Sequence, residues 1–382
     1  MVDFSFSDEQ QMLLDSTRRL ITAQYNLEQR RRILTSNEGF SRQLWKEFGS
    51  LGLLALNVPQ DDGGLEAGPV GTLLVSIAMG EALVIEPYLS SAVIATRAIG
   101  KLASSSQRSQ WLPPMMEGEL IVVLAHEEPT TRHSGSMIDT TARRVGQTWS
   151  VSGRKAVVYH APLADLLLVS ARVEAATAEE WALFAVPRNS SGLELFPGTT
   201  VDGQRAADVV LENVIISDAA RIGENVAEGL TAVLDYGTAA LCAEALGALD
   251  KVLAMTTEYC RTRVQFGVPI GRFQALQHRM ADMLVHVEQA RSMAYLAASR
   301  CESQDPTERT ASLSAAKVII GQAARFVGQQ AVQLHGGMGV TDELGVSHYF
   351  KRLLAAAARF GSTETHLERY AQLLSDRSHG MS

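Results

Sequence analysis

Hydrophobic periodicity changes twice along this sequence, and the two changes leave few folds open to it. From Met12, Leu13, Leu20 and Ile21 onward, apolar residues recur at helical spacing to about residue 118. Ser7 followed by Gln10 is a capping-box pattern that opens the first helix. Beyond Leu120 come short runs rich in β-branched residues, IVVLA, TWSVSG, KAVVYH, DLLLVSA, WALFAV, LELF and ADVVLENVII, separated by Gly, Pro, Asn and Asp. They predict a small antiparallel β domain ending near Ile222. Helical spacing returns after Gly229 and holds to about Leu374, apart from a Gly/Pro break near Gly267 and a loop from Leu334 to Thr341. The expected organisation is a helical domain over 1–118, a β domain over 119–225 and a helical bundle over 226–382. A chain of 382 residues exceeds what one hydrophobic core usually serves, which favours such a division.

Several function classes are disfavoured by composition and motif. The formal net charge of −8 argues against a nucleic-acid backbone as partner. No glycine-rich GxGxxG follows a strand, so the usual nicotinamide-binding architecture is not expected. Cys242, Cys260 and Cys301 lack metal-ligand spacing and fall within helical patterns, so they are expected to be reduced, buried thiols, with no metal site. The start, MVDFSFSDEQ, lacks the basic and apolar regions of a signal peptide, and no apolar run reads as a membrane span. A cytoplasmic location with no membrane partner is expected.

The most informative stretch is Tyr259–Gln277, YCRTRVQFGVPIGRFQALQ. It ends one helix, apolar at Leu246, Leu249, Val252 and Leu253, and begins another, apolar at Leu276, Met280, Met283 and Leu284. Gly267, Pro269 and Gly271 break the backbone between them. Arg261 and Arg263 stand at this break beside Phe266 and Phe273, with Gln274 opening the second helix. Planar guanidinium forks match phosphate oxygens, and an aromatic face can stack on a purine, so a nucleotide cofactor is one reading. On spacing alone, a solvated helix end favoured by the helix dipole is an equal one.

The segment RxxFG, a short Pro/Gly turn and FQxxQHRxADM resembles the signature of the acyl-CoA dehydrogenase family. A second segment, Gln333–Glu343 (QLHGGMGVTDE), is similar to the family's QxxGGxG. The order of helical, β and helical domains agrees, so the resemblance covers essentially the whole chain. It implies the acyl-CoA dehydrogenase fold and FAD as cofactor. It further implies that Arg263, Phe266, Gln274, Gln333, Gly336 and Gly337 reach the FAD of a neighbouring subunit. Glycines at 336 and 337 would let a ligand approach the backbone closely, although a helix cap and turn would use them equally well.

The departures from the family pattern are all of one kind. Dehydrogenation of a thioester needs a carboxylate to take the α-proton while hydride leaves for the flavin. The family's usual glutamate falls at Gly361 here, in Phe360-Gly361-Ser362-Thr363, and the alternative position used by some branches falls at Gly237. Neither has a side chain. Asp235 and Glu364 lie nearby in sequence, but helical geometry turns or shifts them away from the two vacancies. The family's aromatic cover for the flavin ring and its hydroxyl partner fall at Val157 and Tyr159, in Lys155–His160. Its glycine-rich loop over flavin and substrate is reduced to Glu127-Glu128-Pro129, followed by Thr130, Thr131 and Arg132.

Groups that embrace a neighbour's FAD are kept, while those that hold this chain's own flavin and abstract a proton are absent. That division resembles the non-catalytic (small or β) subunits of heteromeric bacterial acyl-CoA dehydrogenases of the steroid side-chain and pimeloyl-CoA types. It implies a homologous catalytic subunit as partner in an α2β2 assembly, acyl-CoA as substrate and an electron-transfer flavoprotein as acceptor. Two other readings stay open at this level. One is a self-sufficient homotetramer using Glu364 or Asp235, and the other is a flavin-free structural or regulatory relative.

Overall fold

The computed structural model describes residues 6–130, 138–174 and 180–379, with residues 376–379 described by backbone alone. In chain order the helices are α1 (Asp8–Gln24), α2 (Leu27–Thr35), α3 (Arg42–Ser50), α4 (Gly68–Glu81), α5 (Thr96–Leu102), α6 (Ser105–Met116), α7 (Ala227–Thr262), α8 (Gln274–Arg300), α9 (Pro306–His335), α10 (Gly345–Ala358) and α11 (Thr363–His379). A π-helical stretch, Tyr88–Ala95, precedes α5. Between α6 and α7 lie β1 (Val122–Ala125), β2 (Thr141–Val145), β3 (Thr148–Tyr159), β4 (Leu166–Val173), β5 (Trp181–Pro187), β6 (Leu193–Thr199), β7 (Arg205–Ser217) and β8 (Arg221–Ile222). A hairpin of β9 (Val264–Gln265) and β10 (Val268–Pro269) joins α7 to α8. The capping box forms as expected, with Gln10 Oε1 accepting from the Ser7 N–H at 3.0 Å and Ser7 Oγ accepting from the Gln10 N–H at 3.2 Å.

The contacts group the chain into two compact units, Arg31–Gly68 with Ile85–Gly237, and Met1–Arg30 with Pro69–Val84 and Thr238–Ser382. The first contains the sheet, in the order β6-β7-β3-β2-β4-β5-β8 with β1 beside β4. Two features differ from the sequence expectation. TWSVSG and KAVVYH form one twelve-residue strand, β3, and β2 arises from TARRV, whose largely exposed residues carry no apolar alternation. The sheet is also not purely antiparallel, because β1 and β2 both run parallel to β4. Parallel neighbours require a crossover, here supplied by the intervening chain, and single-strand patterns do not reveal one. β4 and β5 are buried on both faces along almost their whole length and form the centre of this unit's core.

The second unit is helical. Its core is built from Leu246, Leu249 and Val252 of α7, from Met283, Val287, Ala290 and Ala294 of α8, and from Leu313, Ala316, Ile320, Ala323 and Val327 of α9. These stripes follow three- and four-residue steps. Leu284, read from sequence as part of the apolar face of α8, is 50% exposed, because the buried stripe runs through Met283 and Leu284 lies about 100° round the helix. Helices α4 and α7 cross backbone to backbone. A Cβ at Gly80 would lie 1.9 Å from the Glu244 carbonyl oxygen, and one at Gly247 would lie 2.0 Å from that of Ile77. Arg352, 2% exposed, donates to Glu244 at 2.6 Å and to the Val84 carbonyl at 2.9 Å.

Contrary to the sequence expectation, α7 is long and apolar enough to pass as a membrane span by length and composition. Its most apolar stretch is 83% buried inside the protein, as the core helix of a globular fold would be.

Candidate functional site

The arginine stretch folds as a projecting hairpin. Arg263 is the first residue beyond α7, its N–H bonded to the Tyr259 carbonyl and its carbonyl accepting from Ile270, both at 2.8 Å. The side chain is exposed and has no partner among the described residues. Phe266 sits at the tip with φ +57° and is 90% exposed, its ring edge-on to Phe273 at 6.0 Å. An aromatic ring so exposed, in the left-handed region that suits Asn or Gly better, gains nothing from this chain's own core. Gln274 is the first residue of α8 and is exposed. Gln277 holds the hairpin to α8 by donating to the Gly271 carbonyl at 2.9 Å. Among the described residues, Arg261 makes only a loose surface pair with Glu258 at 4.0 Å.

The glycine segment lies at the end of α9. Gly336 caps that helix with φ +59°, its N–H bonded to the Gln333 carbonyl, so backbone conformation alone accounts for glycine there. Gly337 has no such requirement, and a Cβ built on it meets nothing within 4 Å. Gln333 and both glycines are exposed. The hairpin and this turn, some seventy residues apart in sequence, come together because Tyr259 stacks on His335, centroids 4.3 Å apart and planes at 27°. Further along, Arg279 of α8 donates to Gln330 of α9 at 3.1 Å. All six residues singled out from the sequence thus belong to one end of the helical unit. Tyr259 and His335, which join them, were not singled out; the signal available was their position, four residues before Arg263 and immediately before Gly336.

The turn expected to lack the base is rebuilt rather than merely empty. Phe360 and Gly361 both have positive φ, +59° and +108°. A Cβ on Gly361 would lie 2.9 Å from His366 Nε2 and 3.1 Å from its Cδ2. The His366 ring contacts the Phe360 carbonyl through Nε2 at 2.9 Å and Ser314 Oγ through Nδ1 at 3.2 Å. The carbonyl can only accept, so Nε2 carries the proton and Nδ1 accepts from Ser314. One turn along α9, buried Lys317 donates to the Ala356 and Ala357 carbonyls at 2.8 and 3.1 Å, closing the end of α10. Glu364 is fully exposed in the first turn of α11. Hydrogen bonds from its own backbone N–H and from Ser362 hold its carboxyl below the usual range, which makes it a weaker base. Asp235 and Gly237 are buried within α7.

In the sheet unit, Lys155 and Glu128 are consumed by structure. Lys155, fully buried, pairs with Glu128 at 2.6 Å and donates to Ser170 Oγ at 3.1 Å. Ser170 Oγ is 2.9 Å from His126 Nδ1. Burial opposes the charge on Glu128, but Lys155 and the donors on Thr140 and Asp139 outweigh it and hold the carboxyl below its ordinary range. Burial, then the Lys155 charge, pushes His126 down to about 4. Val157 occupies a bulge, where Ala156 and Val157 of β3 lie opposite the single residue Asp208 of β7. It has φ +48°, donates its N–H to Asp208 at 2.9 Å and leaves its side chain 54% exposed. His160, with φ +62°, bridges Ser90 Oγ and the Ile85 carbonyl at 2.9 and 3.1 Å. Tyr159 is half-buried. Thr131 and Arg132 lie outside the described residues.

A helical, sheet and helical chain whose helical unit presents arginines, an exposed aromatic ring and a glycine turn at one end carries groups that suit a nucleotide cofactor. The sequence matches the family descriptions "Acyl-CoA dehydrogenase, N-terminal domain" over residues 7–119, "middle domain" over 124–214 and "C-terminal domain" over 228–374. It is 32% identical over 317 residues to acyl-CoA dehydrogenase FadE12 of Mycobacterium tuberculosis, covering 80% of each chain. Among solved structures it is similar to a glycine-to-alanine variant of the Tcur3481–Tcur3483 steroid ACAD, with TM-score 0.88, 27% identity, and 97% of this chain and 99% of that one covered. It is also similar to the ChsE4–ChsE5 complex of M. tuberculosis, with TM-score 0.87, 26% identity and 98% and 99% covered. The chain belongs to the acyl-CoA dehydrogenase family, whose members are FAD-dependent oxidoreductases.

Proposed function

We propose that this chain is the non-catalytic member of a heteromeric acyl-CoA dehydrogenase and completes the FAD site of a homologous catalytic subunit. The assembly, an α2β2 heterotetramer in the cytoplasm, would oxidise an acyl-CoA to its trans-2-enoyl-CoA and pass the electrons to an electron-transfer flavoprotein. One contrast carries the reading. The residues expected to face a neighbour's cofactor stand open at one end of the helical unit, while the base position is a glycine turn with His366 packed into the space a side chain would need. Two of the similar solved structures are described by paired names, and one of these as a steroid ACAD, which supports both a paired assembly and a fatty or steroid side-chain substrate.

The exposed residues fit FAD chemically. The Arg263 guanidinium has no partner among the described residues and suits a diphosphate, Gly337 leaves room for close approach of phosphate or ribose to the backbone, and Phe266 offers an apolar face. Bound flavin supplies the hydride acceptor. This chain's residues bind and orient it and exclude water, while the proton is taken by a carboxylate of the partner.

Expression alone and with a catalytic homologue tests the reading. The lone chain should be colourless and without acyl-CoA-dependent dye reduction, and the co-expressed pair should hold one FAD per two unlike chains. Stoichiometric FAD and turnover in the lone chain would replace this reading with the self-sufficient homotetramer. A pair with no flavin would favour a structural or regulatory relative.

A further inference from the structure

The hairpin and the glycine turn are each held mainly by internal contacts. In the hairpin these are Ile270 N–H to the Arg263 carbonyl, Gln277 to the Gly271 carbonyl and the Phe266–Phe273 ring contact. In the turn they are Gly336 N–H to the Gln333 carbonyl and Thr341 to the Met338 carbonyl. Among the described residues, the Tyr259–His335 stack is the one ring contact or hydrogen bond that crosses between them. We propose that this stack is the positioning element of the cofactor face, setting the arginine hairpin and the glycine turn in register so that a single diphosphate-bearing ligand meets both. The inference rests on the reading of this face as half of an FAD site.

The geometry suits that task. His335 is 4% exposed, and its Nδ1 lies 2.8 Å from the Ala331 carbonyl one turn back on α9. That bond places the proton on Nδ1 and fixes the ring plane relative to the helix. Burial holds the imidazole below its ordinary pKa, so the ring stacks as a neutral aromatic at pH 7 and brings no charge of its own to the phosphate. Tyr259 is bound through its own carbonyl to the Arg263 N–H, so the ring and the arginine move with the same last turn of α7. His335 immediately precedes Gly336, so its ring is likewise tied to the glycine turn. The hairpin and the glycine turn are thereby referred to one contact, and the ligand need not bring them into register on binding.

The experiment measures FAD affinity of the heteromer by flavin fluorescence, with urea denaturation of this chain as a fold control. His335→Ala and Tyr259→Leu should each weaken FAD binding about three- to tenfold, the range a lost stacking pair allows. The double variant should be no weaker than either single one, because both break the same contact. His335→Phe keeps the stack without the ring nitrogens and should bind within about twofold of wild type, on the same reasoning. Wild-type affinity in His335→Ala would overturn the proposal, as would His335→Phe binding no better than His335→Ala. Arg263→Ala separates the two levels. If that variant binds normally, the FAD reading itself fails; if it binds weakly while His335→Ala does not, only the positioning role fails. Should His335→Ala not fold, Tyr259→Leu and His335→Phe still decide the question.

Discussion

Replacing Gly361 with alanine should destabilise the full chain, and the structure gives the size of the effect. At φ +108° a residue with a Cβ carries backbone strain of about 1–3 kcal/mol. The new methyl would also lie 2.9 Å from His366 Nε2, forcing the ring away from the Phe360 carbonyl and losing a hydrogen bond of about 1 kcal/mol. Reduced freedom of the unfolded chain returns about 0.4–1 kcal/mol. A net loss of about 1–3.5 kcal/mol is therefore expected, measured from the urea midpoint at unchanged slope. In a His366→Ala background the contact is gone while the strain remains, so the cost of Gly361→Ala should shrink by about 1 kcal/mol. A loss below about 0.5 kcal/mol, or the same loss in both backgrounds, would refute the claim that the turn is filled. The functional corollary is that Gly361→Glu, in a heteromer whose partner has lost its own glutamate, restores no dehydrogenation. Substantial turnover there would mean that the base position had merely lost its side chain.

Arg263→Ala should weaken FAD retention by the heteromer roughly tenfold or more, because a charge-assisted contact contributes about 1.5–3 kcal/mol; equilibrium dialysis of flavin checks this. Lys155→Ala, which leaves Glu128 buried without its cation, should cost about 3–5 kcal/mol in denaturant unfolding, whereas exposed Arg261→Ala should fall within about 0.5 kcal/mol of wild type. His126 is held near 4 in the folded chain against 6.5 for the free group, so the unfolded state takes up its proton first as pH falls. Its contribution is complete above 6.5 and is lost as pH drops towards 4, by up to about 3 kcal/mol; His126→Asn should flatten stability over that window.

Domain order and motif residues were legible because they depend on local pattern. Apolar spacing marked the helices, β-branched runs marked the strands, and RxxFG with QxxGGxG marked one face before any contact was known. What escaped depends on tertiary placement. β2 carries little apolar alternation, so only its neighbours β3 and β4 make it a strand. Leu284 reads as core because its type is apolar, yet one residue's rotation from Met283 leaves it outside. Gly361 reads as a missing side chain, whereas its φ and the His366 ring make glycine a positive requirement. Tyr259 and His335 carry no motif of their own, and only the folding of α7 against α9 gives them a shared role.

The crossing of α4 and α7 at Gly80 and Gly247 acts as an alignment datum for a site far along the helix. Arg263 lies sixteen residues beyond Gly247, about 24 Å along the α7 axis and its immediate continuation. A Cβ on either glycine would press on a carbonyl oxygen of the opposing helix, with no flexible side chain to give way. A tilt of only about 5° at that pivot would carry the arginine sideways by about 2 Å, more than a hydrogen bond tolerates. Substitutions at Gly80 or Gly247 should then read as FAD-affinity defects of the proposed heteromer in proteins that still fold, although Gly247 lies about 24 Å from the arginine.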